Sequence, residues 1–582
     1  MLKLFKNKFY LSLILISIFS VNLCKAEEEI FINLDPQASI AEIREELAKT
    51  SLPVLSFTFE NNEYPTYDVI DHPEGCFGKS IINNSYVNGS LVITKGEEEI
   101  YNSGNYQEKE SGVRVKNRGN TSTAQDYILK KSYKIKLSKK ADLLFRDNKI
   151  YKDKDWILLS GNKDLHYAIG TQIARICGID WEPSGQSVCV IMNDKYMGYF
   201  YLVESVKASE GRVNIQDNGF ILENDAYWWK PDELYFKSNF LPYAVGWTFK
   251  EPDPDDVDSE TILNIKKVLD TFEEALYHQE ILDYMYDKES FANWILAHDI
   301  LGTIDGLGSN IFITKENYNS ENIFETKLKM GPLWDFDDCF KSEDNDHAAI
   351  FFNSHFWYRQ LFLYSDFYET LLDRWNQVKD ILIDELKPYV ENYLELNPDI
   401  YIARLIDDKL NLLGRTPLSE PKQELEEKIN WIEDRIKALE NLYQEIKILK
   451  IVLNPSSLEI NKGETYQIEA LIYPDIATST NLEWTSSDPN IVKVSDSGEI
   501  SALASGSSII TASCNGVSSN CEITVYDYTN IENSLLTENL NYSVYSLDGI
   551  LIKKDCKEED LKLLKKGIYV IVSGKNRYKI YR

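Results

Sequence analysis

The sequence predicts a multidomain α+β protein, and changes of texture along its 582 residues carry that prediction. From Leu52 to about Glu204 short alternating segments rich in β-branched and aromatic residues follow one another. From about Glu260 to Leu449 helical periodicity dominates. At Lys450 short strands return, separated by Asn-Pro, Lys-Gly, Asp-Pro and Ser-Gly turns, the pattern of an all-β sandwich. A last small β unit closes the chain. A β-rich front followed by a helical back suits two lobes with a cleft between them.

The first residues, MLKLFKNKFYLSLILISIFSVNLCKAEEE, place Lys3, Lys6 and Lys8 ahead of an apolar run from Phe9 to Val21. That run is shorter than the ~20 residues of a spanning helix, and Cys24-Lys25-Ala26 offers small residues for cleavage. Residues 1–26 therefore read as a signal peptide and the chain as exported, with no other membrane-spanning segment. Acylation of Cys24 is the alternative, opposed by the bulk of Leu23. Residues 27–51 are a polar lead-in with a short helix from Ile40 to Lys49. The formal net charge of −31 argues against general nucleic-acid binding but leaves room for a local basic pocket. Beyond the signal stand Cys76, Cys177, Cys189, Cys339, Cys514, Cys521 and Cys556, with no CxxC pair, so no structural metal centre is expected. Cys514 and Cys521 flank a hairpin tip, and a disulfide between them is expected.

Seven strands are expected in the front half: LPVLSFTF, SLVIT, GVRVKNRG, KKSYKIKL, DWILL, VCVIMN and YMGYFYLVES, with one helix from Leu165 to Cys177 among them. In KKSYKIKL, Tyr133, Ile135 and Leu137 share one face and Lys134 and Lys136 the other, as in an edge strand with solvated lysines or one turned to an anion. Arg118-Gly119-Asn120 makes a tight turn upstream, where glycine allows close approach of backbone to phosphate. In the helical half, Ile429, Ile432, Ile436, Leu439 and Leu442 stripe a helix from Lys422 to about Ile448, the pattern of core packing.

The segment with the most chemistry is TIDGLGSNIFITKENYNSENIFETKLKMGPLWDFDD. Asp305 precedes Asn310 by five residues, and two strand-like segments then bring Trp334-Asp335-Phe336-Asp337 back to the same end. Protein kinases use such a set: one Asp for the acceptor hydroxyl, an Asn and a later Asp-Phe pair for metal. Asp337 shares a face with Asp335 if the strand continues and then adds a ligand or support; otherwise it is a turn residue. An ordinary hairpin with acidic turns is the plain alternative.

Taken in order, Val115–Ser122, Lys130–Leu137, Lys154–Leu159, Asn193–Tyr199, Tyr201–Glu204 and Asp305…Asn310…Trp334–Asp337 resemble the spore-coat CotH kinase family, a divergent secreted relative of protein kinases. The resemblance implies a two-lobed protein-kinase-like domain over residues 52–449. It implies ATP with Mg²⁺ or Mn²⁺, Asp305 as the catalytic base, and Asn310, Asp335 and Asp337 as metal ligands. Lys134 or Lys136, with Arg118 and Asn120, would contact the nucleotide, and Glu204 would sit at the hinge near adenine or simply end a strand. Asp225 matches a family position without an assigned role. One departure stands out: His166 and Tyr167 occupy places where the family often has Arg-Asn, and the helix from Leu165 to Arg175 has no acidic residue to pair with a nucleotide lysine.

NPSSLEINKGETYQIEA and LEWTSSDPNIVKVSDSGEISALASGSSIITA resemble the bacterial Ig-like group 2 module, covering 450–527 as an all-β Ig-like sandwich, a spacer or surface-glycan contact. Residues 528–582, with Ser546-Leu547-Asp548-Gly549 and Gly567-Ile568-Tyr569-Val570, resemble a type IX secretion C-terminal sorting domain, which implies outer-membrane export. The reading is an exported kinase phosphorylating Ser or Thr of an extracytoplasmic protein. The alternatives are a catalytically inactive kinase-like scaffold or adhesin, and transfer of AMP in place of phosphate.

Overall fold

The structure is a computed structural model describing residues 32, 34–126, 129–161, 163–242, 244–280, 282–303, 309–340, 356–414, 417–527, 541–573 and 576–581. The expected signal peptide and Asp305 lie outside the described residues. The chain divides into Met1–Glu445 and Ile446–Arg582.

The first unit begins with helix α1 (Ile40–Ala48), whose Ser39 and Glu42 form a reciprocal cap. There follow β1 (Pro53–Phe59), β2 (Asp68–Asp71), β3 (Lys79–Ile82), β4 (Val87–Lys95), β5 (Glu98–Asn102), β6 (Val113–Arg118), α2 (Thr121–Ala124), β7 (Ser132–Ala141), β8 (Asp153–Ser160), α3 (Asp164–Cys177), β9 (Gly185–Met192) and β10 (Lys195–Glu204). One sheet runs β1-β9-β10-β8-β7-β6-β4-β5, and β1 also pairs with β4. Seven strands therefore close into a barrel, and these are the seven segments legible in the sequence. Closure is not: β1 lies parallel to β9 and antiparallel to β4, pairings between distant segments. Phe57, Leu91, Val115, Ile135, Leu158 and Phe200 help fill the interior. Since side chains alternate across a strand, Lys134 and Lys136 are turned to the outer surface. β7 lies between β6 and β8 and is not an edge.

A second sheet follows, built from β11 (Phe220–Asp225), β12 (Tyr235–Phe236), β13 (Gly246–Glu251), β14 (Ile311–Lys315) and β15 (Leu328–Met330) in the order β12-β13-β11-β14-β15. The helices are α4 (Ser259–Tyr277), α5 (Lys288–Leu301), α6 (Phe356–Leu361), α7 (Ser365–Val378), α8 (Leu382–Leu396), α9 (Ile400–Lys409) and α10 (Pro421–Gln444). Trp247 of β13 packs against Trp357 at 5.3 Å, and Phe272 of α4 meets the same ring at 5.1 Å, so one face of this sheet is sealed by helices. The opposite face carries Glu223 and Lys250, 2.7 Å apart. The first unit thus combines a closed barrel with a smaller helix-backed sheet. The expected last helix stops at Gln444, four residues early, and Ile429, Ile432 and Leu439 are buried as core.

In the second unit nine strands lie between Lys450 and Tyr526, and four more form a sheet between Tyr542 and Tyr581. Asn515 and Gly516, both at positive φ, make the two-residue turn of the longest hairpin. The expected Cys514–Cys521 disulfide is absent. The register places Cys514 opposite Val517 and Cys521 opposite Ile510, on the order of 13 Å apart along the ladder, beyond the reach of a bond. Both thiols are buried and unbonded. Among the described residues no helix is long and apolar enough to cross a membrane.

Glu273 of α4 is buried and accepts hydrogen bonds from Ser238 Oγ at 2.8 Å and Trp357 Nε1 at 3.0 Å. Burial pushes its carboxyl up to about 7 despite those donors. The folded state keeps this proton through a range where the unfolded chain, ionising near ~4.3, has lost it. Stability of the first unit is therefore expected to fall as pH rises from about 4.5 to 7. Glu273→Gln should remove on the order of 2 kcal/mol of that slope, measured by urea unfolding at pH 5 and pH 8.

Candidate active site

β15 ends at Met330, so Asp335 and Asp337 do not share a strand face. Asp335 takes left-handed backbone, φ 61°, and opens a single 3₁₀ turn, Phe336–Asp338. A non-glycine residue resists that conformation, so the surroundings must impose it. They do so from several sides. Leu333 N donates to the buried Glu182 at 2.8 Å. Phe336 is buried against α3 where Gly170 leaves room: a Cβ built on Gly170 would overlap the Phe336 ring. Tyr167 of α3 meets Phe336 edge-on at 5.1 Å and Trp334 at 5.9 Å. His166 Nδ1 lies 2.9 Å from the Phe336 carbonyl.

Lys163, just ahead of α3, pairs with Asp337 Oδ2. A cation at a helix N-terminus faces the positive end of the dipole, so it needs such a partner. Burial opposes its charge, but Asp337 and Asp335 outweigh burial and hold the Lys163 ammonium above its usual range. The other Asp337 oxygen, Oδ1, is buried with no hydrogen-bond partner among the described residues. An open carboxylate oxygen beside a second carboxylate fits a hard cation, and magnesium commonly takes only one or two protein carboxylates. Asn310, also at positive φ (59°), stands directly before β14. It lies one position beyond the last β11–β14 pair, Asn224 with Ile311, at the strand end where β11 reaches Asp225.

The barrel supplies the opposite charge. Arg114, Lys116 and Arg118 alternate on the outer face of β6, and the register sets Lys116 opposite Lys134 and Arg114 opposite Lys136. Like charges directly across a ladder repel, so two such pairs side by side need compensation. Part of it comes from the Tyr86 ring, 5.1 Å from the Arg114 guanidinium and 5.0 Å from Lys116 Nζ. Part comes from Asp155 of β8, 3.8 Å from Lys134. Burial still pushes Lys134 down, as do Lys116, Lys136 and Lys250 nearby. Arg118 continues the row to the carboxylate turn, its guanidinium 5.2 Å over the Trp334 ring. On the second sheet, Lys250 is held above its usual range because Glu223, Glu233 and Asp225 outweigh its burial, while burial and Glu223 push Asp225 up to about 7.

Of the residues expected from sequence, the structure thus brings Arg118, Asp335 and Asp337 together around Lys163, and Lys134 and Lys136 onto the adjoining strip. Asn120 instead accepts from Ser80 Oγ at 2.7 Å on β3. Glu204 has both oxygens engaged, Arg146 Nη2 at 2.7 Å and Ser184 N at 3.0 Å, so it clamps neighbouring segments. The helix does open on an acidic residue, Asp164, but it binds Arg404, and the carboxylate beside Lys134 is Asp155 of β8. Lys163, Lys116 and Arg114 escaped sequence reading; a lysine opening a helix and the alternation of VRVKNR are the signals that point to them.

Lys163 and Arg118 thus stand with Asp335 and Asp337 at one turn, at the end of a cationic strip. The family model described as CotH kinase protein matches residues 115–439, more than half of the chain, and the chain belongs to that family. A second model, bacterial Ig-like domain (group 2), matches residues 449–525. Two uncharacterized proteins of Clostridium acetobutylicum are similar over short stretches. One is 38% identical over 65 residues, 11% of this chain and 7% of its own length. The other is 36% identical over 80 residues, 13% of this chain and 20% of its own. The chain therefore spans a small part of the curated relatives it matches. Domains 1–6 of surface layer protein SbsC match at 14% identity over 23% of each chain with a TM-score of 0.13, too low to bear on the fold.

Gly→Ala inside a helix ordinarily gains up to about 1 kcal/mol. At Gly170 the new methyl must expel Phe336, and overpacking costs about 1–3 kcal/mol. Gly170→Ala is therefore expected to destabilise the first unit, and a raised urea midpoint would contradict the packing described.

Proposed function

We propose that this CotH-family protein is an exported kinase transferring the γ-phosphoryl group of ATP to Ser or Thr of an extracytoplasmic protein. The observation that carries the reading is the doubled like-charge pairing of Lys116 with Lys134 and Arg114 with Lys136, continued by Arg118 to the Asp335–Asp337 turn. Such a row is costly without an anion and runs about 13 Å, the scale of an extended nucleotide. Phosphoryl transfer asks the protein mainly to position the triphosphate and to balance its charge.

Arg118, Lys116 and Lys134 would orient the phosphates, with Asp155 fixing Lys134. Lys163 would stand where the strip meets the carboxylates and hold the terminal phosphate beside Asp335 and Asp337. Asn310, Asp335 and Asp337 would hold magnesium or manganese, which neutralises phosphate charge when bound. Asp305, from the sequence reading, would take the proton of the acceptor hydroxyl. The Ig-like module points to a surface-binding role, with a surface glycan as its expected contact, and the C-terminal unit to type IX export.

The test is intact-mass analysis of the purified protein after incubation with ATP and Mg²⁺ or Mn²⁺, alone and with a casein-like acceptor. Addition of phosphate is expected, and Asp335→Asn should cut the rate about 10²-fold or more. A nucleotide-sized adduct would mean transfer of AMP, and no adduct on either protein would leave the scaffold role.

A further inference from the structure

Helix α10 carries Glu424, Lys428 and Trp431 on successive turns, and each reaches the rear of the candidate site. Lys428 Nζ lies 2.8 Å from His166 Nε2, 3.3 Å from Glu424 and 5.3 Å from the centre of the Phe340 ring. Glu424 binds Arg404 at 2.8 Å, and Arg404 binds Asp164, the first residue of α3, at 2.9 Å. Phe340, just past the Asp-Phe-Asp turn, sits against His166 at 5.5 Å and Trp431 at 5.6 Å. The Trp431 ring also closes over Gly302, the residue that ends α5.

An ammonium group has protons to give and no lone pair to receive one. Facing Lys428, His166 Nε2 must accept. The single proton of the neutral ring is then on Nδ1, where it donates to the Phe336 carbonyl at 2.9 Å. That carbonyl lies between Asp335 and Asp337, in the turn whose left-handed first residue has to be held in place.

We infer that Lys428 and His166 are positioning residues: Lys428 selects the imidazole tautomer, and the imidazole locks the turn that presents Asp335 and Asp337. The charged groups facing the ring are Lys428 and Glu424 from α10 and Asp337 from the turn; burial and then Lys428 hold the ring below its usual range, and a proton on Nε2 would set two donors face to face across 2.8 Å. Neither side chain needs to touch nucleotide or metal. The tautomer follows from the contacts alone, while its catalytic consequence rests on the proposed kinase reading.

The test uses the full-length protein labelled with ¹⁵N-histidine, without nucleotide, the His166 signals being assigned with His166→Gln. Wild type is expected to show Nδ1 protonated and Nε2 bare, and Lys428→Met to shift the proton toward Nε2. Calorimetry with manganese and ATP is expected to show about 10- to 100-fold weaker binding for Lys428→Met, the loss seen when the partner orienting a metal-site group is removed. Lys428→Arg, which keeps a donor, should restore both readouts. His166→Asn, whose amide can replace the Nδ1 donor, should bind more tightly than His166→Ala. Wild-type His166 protonated at Nε2, or undiminished manganese–ATP binding in Lys428→Met, overturns the relay. A wild-type protein that binds no manganese–ATP overturns the kinase reading instead, and the tautomer then decides the relay alone.

Discussion

Pairing of β1 with β4 closes the first sheet, and that closure governs where every charge of the barrel can go. In an open sheet a strand such as SYKIKL can leave either face to solvent. Once seven strands form a filled barrel, Tyr133, Ile135 and Leu137 occupy the interior and the intervening lysines have only the outside. The same alternation on β6 puts Val113 and Val115 inside and Arg114, Lys116 and Arg118 outside. Two adjoining strands, both basic on the one face left to them, therefore make a cationic strip in a protein whose net charge is −31. The interior packing of the barrel and the basic outer strip are two consequences of one register.

Helix α3 carries that geometry across to the carboxylates. It follows β8 closely: Lys163, just ahead of it, pairs with Asp337, and its first turn holds an aspartate buried against Arg404, a histidine on the Phe336 carbonyl and a tyrosine between Trp334 and Phe336. Gly170 then admits the Phe336 ring. The Asp-Phe-Asp turn is in this way fixed to a helix that follows a barrel strand closely, so its place is tied to that of the strip.

Local pattern made much of this legible. Seven strand segments, the faces of β7 and the span of α3, expected from Leu165 and found from Asp164 to Cys177, all follow from periodicity and spacing. What escaped depends on contacts between remote segments. Closure needs β1 beside both β4 and β9. Glu204 ends its strand like many surface residues, and only the arrival of Arg146 and the Ser184 amide makes it an enclosed clamp. Cys514 and Cys521 flank a hairpin tip, yet a two-residue turn at Asn515-Gly516 sets them four ladder positions apart in register. Asp335 looked like the end of a strand because Leu328–Met330 leads toward it, while Gly331 and Pro332 end the ladder first.

The groups behind the turn raise a question of cost. Asp164, Arg404, Glu424, Lys428 and His166 form a chain of buried or half-buried polar side chains, and each charge gives up water to be there. Attraction within such a chain often does little more than repay that loss, and well-packed apolar residues could supply equal stability. Apolar packing is non-directional, however, and cannot dictate which nitrogen of an imidazole carries the proton. A chain of donors and acceptors can, because every member restricts the next. Its far end rests on the carbonyl between Asp335 and Asp337, where a small rotation would swing the carboxylates that the site depends on. The expense falls where direction matters most, in a turn whose first residue is held in left-handed backbone.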